Sequence, residues 1–381
     1  MTTVTAIRRT RPKPKAQHKL PAGPVLPLGK QLAHTDKKVR DAAFANVTEF
    51  LSNGGITKLT APIEDAHGMI AAEGEEPSER DVRRGQLPPV EMRRLWKGLF
   101  YCFWMSDKPL VQQRLATDLS SVVLEIDPKS THDEDPLARD MAALDFIQGF
   151  WEAIIREWIG IDRFRMDKYY MLLRRWINAS FRLLARSEWN DQVVNRYNTI
   201  MADPVNGPLA WSNPRTPVSL AWHLADIWVE ELDKVLRQES TPAPVPTLLH
   251  PFTQLLTRTP NAQSPPRLLS SIYTPILAAS IPDSNPLLAQ HSAKRRKTTA
   301  TDADPREKVA GILKSHASTS EERLGRDLLG ALMREAGRSD EEGVRDVNRR
   351  KVYAFVRDWG GADEEDSEEE EDEDEDDDDD E

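Results

Sequence analysis

Nine of the ten tryptophans fall between Trp96 and Trp228, and eight of the ten phenylalanines precede Arg182. Rings of that size bring more apolar area than a surface accommodates, so they demand a shared interior. One core closing before about residue 240 is therefore the economical reading of a chain of 381 residues, even though length alone would allow two domains. Such a stretch is long enough to bury a sizeable interior. Its apolar residues follow a helical period: Val39, Ala43, Val47, Phe50 and Leu51 share one face. No segment alternates with a period of two, so no sheet is expected.

Charge divides the chain differently. The formal net charge of -12 arises at one end, where 18 of the 19 residues from Asp363 to Glu381 are acidic. Without them the chain holds 51 bases against 45 acids, a mildly basic body of +6. Residues 1–35 hold seven Lys or Arg and no acid. Blocks of like charge repel themselves and act as arms rather than core, so a disordered basic arm is expected over 1–34 and an acidic disordered tail over 361–381. Cys102 is the single cysteine, so no internal disulfide can form and a reducing compartment fits. The N-terminus shows no apolar segment of a secretory signal, and no run of about 18 apolar residues suggests a membrane span.

Folded structure is expected to begin at Thr35, an N-cap candidate, in a helix stopped by Asn53-Gly-Gly55. Residues 60–90 are Ala-, Glu-, Gly- and Pro-rich and read as a mobile loop. Pro88-Pro89 then opens a helix to about Met105, and Lys108-Pro109 opens another to about Ile126. Further helices are expected at about 136–160, 163–187, 188–202 and 216–239, completing a helical domain over 35–240. Residues 241–300 carry many prolines and read either as a linker or as a strap along that domain. Two short helices, about 319–336 and 340–358, follow from the capping-box spacings Thr319-x-x-Glu322 and Ser339-x-x-Glu342. With few apolar residues, the 301–360 segment is expected to order on binding.

The motif Asp36-x-x-Val39-Arg40-x-x-Ala43 is like the second helix of a HEAT repeat, with a looser echo from Asp107 to Leu119. The expected fold is thus all-α, a HEAT- or armadillo-like helical solenoid. Two longer blocks are more specific. The first is Leu95-Trp-Lys-Gly-Leu-Phe-Tyr-Cys-Phe-Trp-Met-Ser-Asp-Lys-Pro109, continued by Gln112-Gln-Arg-Leu-Ala116. The second runs from Phe150-Trp-Glu-Ala-Ile-Ile-Arg-Glu-Trp158 through Ile161-Asp-Arg-Phe-Arg165 to Tyr169-Tyr-Met-Leu-Leu-Arg-Arg-Trp176. In this order they resemble the signature of the eukaryotic ribosomal RNA-processing protein 1 family, nucleolar factors of the large ribosomal subunit. The resemblance covers residues 31–240, is faint over 241–290 and is absent from the tails.

Chemistry-bearing constellations are few. There is no G-x-x-x-x-G-K-[ST] loop and no G-x-S-x-G elbow, and the two closest of the eight histidines, His18 and His34, are far apart. His132-Asp-Glu-Asp135 is either a metal cluster or, more simply, a solvated acidic loop, and Cys102 reads as a buried thiol. The aromatics Trp96, Phe100, Phe103, Trp104, Phe150, Trp151 and Trp158 are expected in the core, with one or two rings left as anchors for a partner. The candidate binding surface is a stripe on the helix expected over 163–187. At about 100° per residue, Lys168, Arg175, Arg182 and Arg186 lie within roughly 40° of one another, and no acid stands four residues from any of them. The stripe reads as a solvated or internally bridged face, or as a contact for rRNA phosphates or an acidic partner. Lys294-Arg295-Arg296-Lys297 resembles a nuclear import signal.

The resemblance implies a non-enzymatic nucleolar scaffold for pre-60S assembly that supports rRNA processing, with no cofactor or metal. It implies pre-rRNA and pre-60S factors as partners, a Brix-domain protein and a β-propeller protein among them. Basic ribosomal proteins are candidate partners of the acidic tail, and no membrane is expected. The alternatives are an acidic-tailed chaperone for histones or ribosomal proteins, and a helical nuclear-transport adaptor.

Overall fold

The computed structural model describes residues 27–53, 87–128, 136–281, 305–316, 321–338 and 343–359. Among these residues every regular element is a helix. The first helices are α1 (Leu28–Leu32), α2 (Lys37–Ser52), α3 (Pro89–Trp104), α4 (Pro109–Glu125) and α5 (Ala138–Glu157), which ends in a 3-10 turn (Trp158–Gly160). Then come α6 (Met166–Arg186), α7 (Asp191–Met201), α8 (Val218–Leu236), α9 (Val245–Leu248), α10 (His250–Arg258) and α11 (Ser264–Leu268). A π-helical turn (Leu269–Tyr273) leads into α12 (Thr274–Ser280), and α13 (Pro305–Lys308), α14 (Ala310–Ser315), α15 (Glu321–Ala336) and α16 (Asp346–Asp358) complete the chain.

Each long helix packs on the next but one. α2, α4, α6 and α8 form one rank, continued on α8 by α14 and the π-helical turn; α3, α5, α7, α10 and α15 form the other. Alternate helices thus share a rank, and the result is a helical solenoid. The seam between ranks is aromatic. Trp176 of α6 stacks on Phe150 of α5 at 4.0 Å between centroids and meets Trp96 of α3 edge-on at 5.3 Å. The Trp96 indole N–H donates to the Phe146 carbonyl at 3.0 Å. Gly149 makes this approach feasible, since a Cβ there would lie 2.4 Å from Trp96 Cδ1. All seven expected core rings are buried except Trp104, which is half-buried and covered by the Arg165 guanidinium at 4.6 Å.

The structure differs from the sequence reading in three places. Folded structure begins at α1, before Thr35, because Leu28 and Leu32 are buried against α3. The N-cap of α2 is Asp36, whose carboxylate accepts from the Lys38 N–H at 2.9 Å. Residues 245–281, read as linker or strap, are helical and packed, with Phe252, Leu256, Leu268, Ile272 and Ile276 buried. Pro246, Pro251, Pro265 and Pro266 stand in first turns, where the missing N–H costs nothing, and Pro275 follows the π-helical turn. The segment after 301 is also packed within the chain: α14 rests on α8, and α15 and α16 rest on α10. α16 starts at Asp346 rather than near 340, after Gly343 turns the chain at φ +84°.

The basic arm up to residue 26, the loop over 60–86, His132–Asp135, Lys294–Lys297, the capping residues Thr319, Ser339 and Glu342, and the acidic tail lie outside the described residues.

Candidate nucleic-acid interface

α4, α6 and α8 run parallel, as their cross-contacts show. Lys168 reaches Ser106, Arg175 reaches Gln113 and Thr117, and Arg186 reaches Leu124. Likewise Tyr170 meets His223, and Arg174 meets Glu230 and Glu231. All three N-termini therefore lie at one edge of the rank and all three C-termini at the other. The four stripe cations span this distance along α6, and they meet four different fates.

Lys168 is buried, 5% exposed. Its ammonium donates to the carbonyls of Phe103 at 3.0 Å, Trp104 at 2.7 Å and Ser106 at 2.8 Å. Phe103 and Trp104 end α3 and Ser106 follows it, where the helix leaves its carbonyls without the regular i+4 donor. The Phe103 carbonyl also accepts from the Ser106 N–H at 3.1 Å, and the Ser106 carbonyl from Gln112 Nε2 at 3.0 Å. Desolvation, helped by the nearby Arg165 charge, pushes the lysine down to about 8, so it keeps its proton at neutral pH. Lys168 is a helix cap, not a surface cation. Arg175 is half-buried and donates to the Gln113 carbonyl and, at 2.7 Å, to Thr117 Oγ1. Arg186 donates to Asp140 Oδ1 at 2.6 Å and to the Leu124 carbonyl at 3.0 Å. Arg182 is exposed and has no hydrogen bond or ion pair among the described residues.

Arg182 and Arg186 join cations from two other helices around a cavity of about 600 Å³. Arg139 comes from the start of α5, and Lys234 and Arg237 come from the end of α8. Glu239 is the acid among the lining residues. Arg139 donates to the carbonyls of Ile126 and Leu124, both at 3.2 Å. Arg237 is held by Asp233 at 2.7 Å and by the Glu307 carbonyl, and Lys234 by Glu230 at 2.7 Å and Glu231 at 2.8 Å. Cations in the last turn of a helix follow from its dipole, and that signal could have drawn Lys234 and Arg237 from the sequence. Their convergence with Arg139 could not be read there, because it depends on how three helices are aligned.

The opposite edge exposes apolar side chains. Leu110 in the first turn of α4 is 79% exposed, and Ile159 and Phe164, just before α6, are 83% and 81% exposed. Val218, the first residue of α8, is partly exposed. Phe164 is held outward by an Asp162 turn, in which the carboxylate accepts the N–H groups of Phe164 at 2.9 Å and Arg165 at 3.1 Å. Burial pushes the Cys102 thiol up to about 12, which makes it inert. Among the described residues no cluster of three His, Cys, Asp or Glu stands ready for a metal, and no helix is long and apolar enough to cross a membrane.

The model of the family described as "Nucleolar protein, Nop52" matches residues 24–381. The chain belongs to the Nop52 family. It is 28% identical over 258 residues to mouse ribosomal RNA processing protein 1 homolog A, covering 68% of this chain and 44% of the relative. It is 33% identical over 172 residues to the human homolog A, covering 45% of this chain and 34% of the relative. To the Drosophila melanogaster homolog it is 35% identical over 163 residues, covering 42% of this chain and 21% of that one. The match thus spans less than half the length of these relatives. The Nop52 family is described as nucleolar, and these relatives are named for ribosomal RNA processing.

Proposed function

We propose that this Nop52-family chain is a non-catalytic scaffold of pre-60S particles that supports rRNA processing by holding pre-rRNA and neighbouring factors in register. The observation that carries the reading is the polarity of the α4–α6–α8 rank. One edge gathers five cations around a cavity, and the other exposes Leu110, Ile159 and Phe164. Phosphate backbones are drawn to fixed arginines, whereas projecting apolar side chains are the usual anchors of protein partners. A single stack can thus hold RNA on one edge and protein on the other. By the family resemblance those proteins include a Brix-domain factor and a β-propeller factor, and Lys294–Lys297 serves nuclear import. Sedimentation of nuclear extract tests the reading. Co-migration of the chain with large-subunit precursors is expected. A free complex with basic proteins would replace the scaffold by a chaperone.

A further inference from the structure

We propose that the cavity lined by Arg139, Arg182, Arg186, Lys234 and Arg237 is a preorganised seat for backbone phosphates of RNA. The inference rests on the rRNA-facing reading above and assigns it to a place in the fold.

Two opposing effects decide the sign of the potential there. The C-termini of α4, α6 and α8 converge on the cavity, and each brings a partial charge of about -0.5. Much of that is already answered: the Leu124 carbonyl accepts from both Arg139 and Arg186, and the Arg237 carbonyl accepts from Lys314 at 3.1 Å. Acids also stand near the cations. Asp140, Glu231 and Asp233 have side chains 12%, 4% and 5% exposed, and Glu230 sits on the outer face of α8 at 52%. The first three are buried behind the bases they bond, so the cationic groups line the cavity while their counter-ions lie beneath. Among the described acids, Glu239 joins the bases in the lining.

This arrangement holds the guanidinium groups of Arg139, Arg186 and Arg237 in place before any ligand arrives, which lowers the ordering cost of binding. Each guanidinium has five N–H donors, and the contacts described use two on Arg139 and two on Arg186. Arg182 has spent none of its own among the described residues and stands exposed at the rim. Four of the five bases are arginines, whose planar fork matches a phosphate better than a lysine does.

The test uses the full chain, a short fluorescent RNA of mixed sequence, and a salt series. Arg182→Glu is expected to weaken binding about tenfold and to flatten the slope of log affinity against log salt by roughly one. Glu239→Gln should strengthen binding. Arg163→Glu, the same charge change at the apolar edge, should leave the slope untouched. Arg182 makes no hydrogen bond or ion pair among the described residues, so the variant should melt like the parent. Equal losses in Arg182→Glu and Arg163→Glu would show attraction without a seat and overturn the proposal. An expanded hydrodynamic radius in Arg182→Glu with undiminished RNA affinity would mean that the acidic segment 363–381 occupies the cavity, and would overturn it too. If either happens while the chain still co-migrates with large-subunit precursors, the scaffold reading survives and the phosphate seat does not.

Discussion

The two ends of α6 carry cations of the same sequence stripe and put them to opposite uses. Near its start, Lys168 is withdrawn from water and capped onto three carbonyls of the neighbouring rank. Near its finish, Arg182 is exposed at the rim of a cavity. Helical phase placed both residues on one face, but a face only selects direction. What each residue does is decided by what the neighbouring helices present at that level. At Lys168 the end of α3 offers three carbonyls, and at Arg182 the neighbouring helices supply no hydrogen-bond or ion-pair partner among the described residues.

The largest effect should come from breaking the seam on which both ends depend. Trp176→Ala removes the ring that stacks on Phe150 and meets Trp96 edge-on and should cost about 3–5 kcal/mol in urea denaturation, with both ends of α6 losing protection from hydrogen exchange together. Protection lost at one end alone would mean that the ends fold independently.

Acid should next loosen the far end of the stack. Glu335 is buried on α15 and bonded by Arg258 of α10, with Arg338 at 2.9 Å and His250 at 3.6 Å. Bonds from His250 and Arg258, with the charges of Arg258 and Arg338, outweigh burial and hold its carboxyl down at about 2, against the ordinary 4.5. A depressed carboxylate adds stability that is fully present above the ordinary value and is lost as pH falls through the folded one. The denaturation midpoint should therefore fall between pH 4.5 and 2, and Glu335→Gln should flatten that part of the profile. An unchanged profile in the variant would exclude this group as the cause.

Lys168→Met should be smaller, roughly 1–3 kcal/mol, because it forfeits three hydrogen bonds but regains the cost of burying a charge. A neutral result would mean that these two terms cancel. Smallest of all, Phe164→Ala should change stability by less than about 0.5 kcal/mol, since the ring is 81% exposed. A larger loss would show that the ring is packed in solution and that the edge is not apolar to its surroundings.

Much of the fold was legible because proline and glycine mark boundaries in a chain of strongly periodic helices. Pro89 and Pro109 start α3 and α4, and Asn53 ends α2. The same residue type misled at 245–281. There most prolines also stand at helix starts, but the helices are so short that composition resembles a linker. Their stability comes from packing, since isolated helices of this length are marginal. The candidate site was legible only as an angular position. Arg182 and Arg186 reached the cavity, Arg175 turned to α4 and Lys168 was buried, because carbonyls more than sixty residues away, at Phe103, Trp104 and Ser106, have no signature in side-chain pattern. Phe164 fell within the helix expected over 163–187, but that helix starts at Met166, and the ring sits on the turn before it.

The most direct test sets Lys168→Met beside Arg182→Met in the full chain, each measured for urea stability and for retention on large-subunit precursors as salt is raised. A crossed result is expected. Lys168→Met should lose stability, with its folded fraction still retained on the particle, and Arg182→Met should keep stability within about 0.5 kcal/mol and leave the particle at lower salt. The reverse pattern, or two variants that behave alike, would contradict the division of α6 into a structural end and a binding end.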